Sequence, residues 1–138
     1  MRRPTPSDRA HVDDLVSTGL RELSLGRGGR SYLADLAAYL DVQDSILAST
    51  LVDEILNKGF VADQAVAVAI DGLALIYVSP EARRASLGTA LFEALARDEA
   101  VEMWAKPGDR AAKSFAESLG LKARLLVMSA EPETNDGP

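Results

Sequence analysis

A chain of 138 residues is the size of one compact domain, and 47% apolar with 26% charged residues excludes disorder or a fibrous repeat for its bulk. The formal charge of −6 argues against non-specific binding along a phosphate backbone, so nucleic acid is not an expected partner. Cysteine is absent and His11 is the single histidine, which removes disulfides, thiol nucleophiles and any expected metal site. No window reaches the roughly 18 apolar residues of a membrane span. Residues 1–8 lack the apolar run of a signal peptide, so a cytoplasmic protein without membrane contact is expected.

The first predicted element is a helix entered at Ser7 or Asp8, with Val12, Leu15, Val16, Leu20 and Leu23 at three- and four-residue steps. The stretch Leu25-Gly26-Arg27-Gly28-Gly29-Arg30 reads as a loop, because three glycines in four positions oppose helix on entropy grounds. Tyr32, Leu33, Leu36, Ala37 and Leu40 then form one apolar stripe, and Val42, Ile46, Leu47, Leu51, Ile55 and Leu56 a second that ends at Gly59. Asp41 divides the two. Residues 31–72 carry seven acidic groups against one basic, which reads as solvated helix faces.

After Gly59 the period changes to that of strands: residues 60–62, 65–70 and 73–78 are apolar runs separated by Asp63-Gln64 and the tight-turn pair Asp71-Gly72. This predicts an antiparallel meander in which the last run, apolar on both alternating faces, is the central strand. Ser79-Pro80 ends it. A helix over Leu87, Ala90, Leu91, Ala94 and Leu95 follows, then a strand over 101–106, a helix over Ala111, Ala112, Phe115, Ala116 and Leu119 stopped by Gly120, and a last strand over 123–129. Residues 1–130 are read as one domain, and 131–138 as an acidic tail without a core-forming residue.

The chemistry-bearing stretch is strand, turn, helix: Val78-Ser79-Pro80-Glu81-Ala82-Arg83-Arg84-Ala85-Ser86-Leu87-Gly88-Thr89. A turn that opens a helix presents backbone N–H groups without internal partners at the positive end of the helix dipole, a natural anion site. Arg83 and Arg84 add positive charge, and Gly88 permits close approach.

This stretch resembles the acyl-CoA-binding signature of the GNAT superfamily of N-acetyltransferases, in which a central strand passes through V-x-P-x-x-[RQ]-x-x-G-x-[GA] into a helix. Val78, Pro80, Arg83 and Gly88 match. Residues 2–8 are similar to the family's first strand and helix entry, and residues 109–121 to its N-x-x-A-x-x-F-Y-x-x-x-G-F stretch. The ordered likeness spans residues 1–130. It implies an α/β (α+β) single domain with a central mixed, mainly antiparallel sheet flanked by helices. It further implies acetyl-CoA as cofactor, with Val78, Arg83, Arg84, Ala85, Ser86, Leu87, Gly88 and Thr89 binding it, and a small amine or protein amine as acceptor.

Two departures bear on the chemistry: Ser86 stands at the first glycine of the turn, and Ala116 at the place of the family's tyrosine acid. The strand over 73–78 also carries no carboxylate. Asp71, Glu81 and Glu102 are then the candidate bases and Tyr77 and Ser114 the candidate donors, which makes Tyr77, Glu102 and Ser114 the catalytic candidates. Trp104, alternating with Glu102 and Lys106, reads as a half-exposed residue able to stack on a ligand or a second subunit. The eroded positions support a second expectation from another class: a catalytically inactive protein of the same fold serving as a homodimer or as a subunit of a larger assembly. An unrelated nucleotide-binding domain is disfavoured by the antiparallel strands and the lack of a phosphate-loop lysine.

Overall fold

The computed structural model describes residues 1–83, 86–106, 108–128 and 130. Three helices come first: α1 (Arg9–Leu25), α2 (Gly29–Tyr39) and α3 (Leu47–Lys58). Then come strands β1 (Phe60–Ala62), β2 (Ala65–Ile70) and β3 (Leu73–Val78), followed by α4 (Leu87–Ala96) and α5 (Arg110–Ser118). Among the described residues the protein is thus a mixed α+β domain with five helices and a three-stranded antiparallel sheet in the order β1-β2-β3.

The helical period holds where it is read. Val12, Leu15 and Val16 are buried on α1, Leu36 and Ala37 on α2, and Leu47, Leu51, Val52 and Ile55 on α3. Asp41 divides α2 from α3 with a left-handed backbone, φ 56°. The glycine loop is shorter than expected, because Gly29 begins α2. Its hydrogen-only side chain lets the start of α2 lie against the end of α1: a Cβ there would fall 1.7 Å from the carbonyl oxygen of Leu23.

The meander is present, with Asp71 and Gly72 at φ 49° and 85°, the positive values that a two-residue type I′ turn requires. Its middle strand is β2 rather than β3, which corrects the expectation of a central strand over 73–78. All six residues of β2 are buried, whereas β3 is buried only at Leu73 and Ala74. Alternation explains why β2 takes that place. Val66, Val68 and Ile70 face α1, α2 and α3 in one apolar cluster, while Ala65, Ala67 and Ala69 face Leu91 and Leu95 of α4 in another. The small alanine face lets α4 pack closely, so the sheet is covered on both sides by helices.

The flanking strands expected from sequence are reduced to single bridges. Arg2 exchanges backbone bonds with Val61 at 2.9 and 2.8 Å, which is all of the first strand. Glu102 forms a parallel bridge with Leu73, and this one contact is the sheet's mixed character. Residues 121–128 form no strand among the described residues, and Leu125, Leu126, Val127 and Met128 are 73–83% exposed. A strand exists only through a partner; an apolar run without a neighbouring edge has none of the ladder bonds that define it. The 131–138 tail, Ser129, Arg84 and Ala85 lie outside the described residues. No described helix is long and apolar enough to cross a membrane.

Candidate functional site

The Leu73–Glu102 bridge is held by Ala74 N–H on the Glu102 carbonyl, 2.8 Å, and Glu102 N–H on the Gly72 carbonyl, 2.7 Å. Beyond it β3 and residues 103–106 separate. A cavity of about 780 Å³ opens between them, with Leu75, Ile76, Tyr77 and Val78 on one wall and Met103, Trp104 and Lys106 on the other. That volume lies within the range of small-molecule sites. The outer edge of β3 along this wall leaves backbone N–H and C=O groups without a neighbouring strand, available to a ligand with amide groups.

At the C-terminal end of β3 the chain is pinned by Ser79, the one buried polar residue of the described core. Its amide donates to the Gln64 carbonyl at 2.8 Å and its hydroxyl to the Gln64 side-chain oxygen. The turn into α4 follows. Val78, Arg83, Ser86, Leu87, Gly88 and Thr89 all line the cavity. The amides of Leu87, Gly88 and Thr89 begin α4 ahead of its Ala90 N–H bond to the Ser86 carbonyl, 3.1 Å, and have no acceptor among the described residues. Ser86 caps the helix in a left-handed conformation, φ 62° and ψ 11°, without a side-chain capping bond. Gly88 has a packing role too: Phe115 of α5 sits over it, 3.1 Å from where a Cβ would be. Phe115 therefore closes one side of the turn.

Arg83 is turned inward. Its Nε donates to the Val78 carbonyl at 2.9 Å and its Nη2 to Glu22 Oε1 at 2.9 Å. Tyr77 donates its hydroxyl to the other carboxylate oxygen, Glu22 Oε2. The phenol reaches Glu22 because its ring lies flat against Gly19, one turn earlier on α1, where a Cβ would be 3.0 Å from ring atoms. Burial works against the charge of Glu22, but the bonds from Tyr77 and Arg83 prevail and hold its carboxyl below the ordinary range. The Tyr77 phenol is pushed up to about 12 by burial, then by its bond to Glu22. Tyr32 is pushed up to about 12 by burial, with Asp109 adding to it.

The rest of the lining is aromatic and charged. Trp104 meets Tyr32 and Tyr39 edge-on, with ring centres 5.9 and 5.3 Å away. Lys106 Nζ lies over Gly26 at the C-terminal end of α1, where the helix dipole favours a cation. Asp109 caps α5 by accepting from Ala112 N at 3.0 Å.

Of the three catalytic candidates, only Tyr77 lines the cavity. Glu102 is exposed at the bridge and lies 3.6 Å from Arg124, and Ser114 is exposed on α5. Asp71 sits in the hairpin turn, where its carbonyl accepts from Tyr39 at 2.5 Å, and Glu81 is exposed before Arg83. The carboxylate that does meet the cavity, Glu22, comes from the first helix. Leu15, Gly19 and Glu22 share one helical face, so a carboxylate and a glycine on the core-facing stripe were its signal in the sequence. Among the described residues no cluster of three metal-ligating side chains occurs.

No protein-family model matches the chain, and no curated protein or solved structure matches it.

Proposed function

We propose that this is an acyltransferase of the GNAT type, binding acetyl-CoA in the cleft between β3 and residues 103–106 and transferring the acetyl group to a primary amine. The observation that carries this reading is the convergence on one cavity of all six described residues of the sequence motif, Val78, Arg83, Ser86, Leu87, Gly88 and Thr89. The cavity's shape fits such a ligand: an apolar slot beside an open strand edge, ending at the first amides of α4, which suit a diphosphate.

Bound acetyl-CoA would supply a thioester carbonyl, whose carbon gains the nitrogen of the neutral amine as the bond to sulfur breaks, one amine proton passing to the leaving thiolate. The protein's part is to hold and orient. Leu87, Gly88 and Thr89 offer amides to the anion, while Tyr77, whose single hydroxyl proton is held by Glu22, shapes the slot with its ring. The leaving thiol is acidic enough, near 8.5, to depart without a strong acid, so Ala116 does not forbid turnover. Loss of one proton-transfer group costs on the order of 10²-fold. A panel of primary amines with acetyl-CoA, followed by thiol release, tests the reaction; release no faster than without protein overturns it.

A second reading, an inactive member of the same fold acting as an interaction subunit, is favoured by one observation. Residues 125–128 present four large apolar side chains to solvent. Light scattering decides here: a monomer with measurable transfer contradicts it.

A further inference from the structure

The cluster of Glu22, Tyr77 and Arg83 has the composition of a cation-binding site filled from within. A carboxylate that is held anionic faces the cavity, an aromatic ring adjoins it, and the positive charge is the chain's own Arg83 guanidinium, 5.9 Å from the Tyr77 ring centre. We propose that Glu22 and Tyr77 form a subsite for an organic ammonium group and that Arg83 occupies it as an internal stand-in. It deepens the acyl-transfer reading and rests on it in one respect: the cation is then the protonated form of the amine acceptor, which gives one proton to solvent before it attacks.

Three features support displacement over a permanent structural pair. The pair is solvent-accessible, with side chains 49% and 38% exposed, so its strength is small and an entering cation can compete for the carboxylate. Tyr77 tethers Glu22 independently of Arg83, through the other carboxylate oxygen, so the acceptor atom stays in place when the guanidinium leaves. The charge balance is also suitable. Among the described lining residues Glu22 and Asp109 oppose Arg83 and Lys106, and withdrawal of Arg83 leaves an excess of one negative charge among them, matched by a monovalent cation. Tyr32 and Trp104 on the same lining suit a cation carried on an apolar or aromatic body. An anion that draws Arg83 toward the α4 turn would vacate the subsite.

Trp104 is the single tryptophan and lines the cavity, so its emission reports occupancy. The probe is phenethylammonium chloride, compared with 2-phenylethanol, the same body without the charge. In Arg83→Gln the ammonium binds about two- to fivefold more tightly than in the unsubstituted protein, the range set by an exposed ion pair. Arg83→Gln also prefers the ammonium to the alcohol, and Glu22→Gln abolishes that preference. Equal affinity of Arg83→Gln and the unsubstituted protein for the ammonium overturns the proposal. So does an Arg83→Gln protein that binds alcohol and ammonium alike, a result that does not depend on Glu22→Gln folding. Coenzyme A titrated into the same proteins reports on the cofactor separately: if it fails to bind while the ammonium series behaves as expected, acyl transfer falls and the cation subsite stands.

Discussion

Tyr77 on the third strand donates its hydroxyl to Glu22 on the first helix, a link across 55 residues of sequence that fastens the wall of the cavity to the helix layer. Its consequence is a pH dependence at the alkaline end. The folded phenol titrates near 12 against about 10 in the unfolded chain, so the folded state holds its proton more tightly. Stability from this source is complete below pH 10 and is lost as the pH rises toward 12. Ultraviolet titration finds two phenols, Tyr32 and Tyr77, ionising near 12, and Tyr77→Phe removes one of the two. In Glu22→Gln the Tyr77 transition moves down, because the charge that raises it is gone and a neutral amide oxygen accepts more weakly than a carboxylate; an unmoved Tyr77 transition contradicts the assignment.

At the acid end the relevant group is Asp8. Its carboxylate takes two bonds from Arg2, both 2.8 Å, and one from the Thr5 amide at 2.7 Å, which hold its pKa well below the ordinary range. A depressed carboxylate stabilises above its unfolded pKa and loses that contribution as the pH falls. Urea midpoints measured from pH 5 downward therefore decline less steeply in Asp8→Asn than in the unsubstituted protein. Parallel declines contradict this.

Ser86 occupies a left-handed position that disfavours any side chain by roughly 1–2 kcal/mol. Ser86→Gly relieves that cost against the greater chain entropy of glycine, and the expected gain is at most about 1 kcal/mol. Ser86→Val, β-branched at positive φ, loses about 1–2 kcal/mol. Chemical denaturation measures both; a stabilising valine would mean the turn is not left-handed.

Two packing substitutions test the layers. Leu91→Ala removes a fully buried side chain between α4 and the alanine face of β2 and costs about 2–5 kcal/mol. Gly29→Ala drives a Cβ into the Leu23 carbonyl and costs about 3 kcal/mol, the upper end of overpacking. A loss under about 1 kcal/mol at either position contradicts the packing described.

The helices and the hairpin are legible in the sequence because their signals are local. Val12, Leu15 and Val16 recur at helical spacing, and Asp71-Gly72 carries its own turn geometry. What is not legible depends on partners. Residues 65–70 and 73–78 look alike as apolar runs, and only the placement of α4 against Ala65, Ala67 and Ala69 makes the former the middle strand. Residues 101–106 carry strand-forming residues but leave β3 after Glu102, and the space they vacate is the cavity. For the site, the turn at residues 83–89 is visible as a motif. Glu22 shows only as a carboxylate on the core-facing stripe of the first helix, and nothing near it in sequence announces that Tyr77 and Arg83 arrive from the far side of the fold.

The central claim is that the cleft at the α4 turn takes a diphosphate-bearing acyl thioester, and calorimetric titration with acetyl-CoA addresses it most directly. The expected result is saturable one-site heat accompanied by a change in Trp104 emission, both weakened in Gly88→Leu, which fills the turn. An absence of heat at high micromolar ligand, with the protein folded, contradicts the claim.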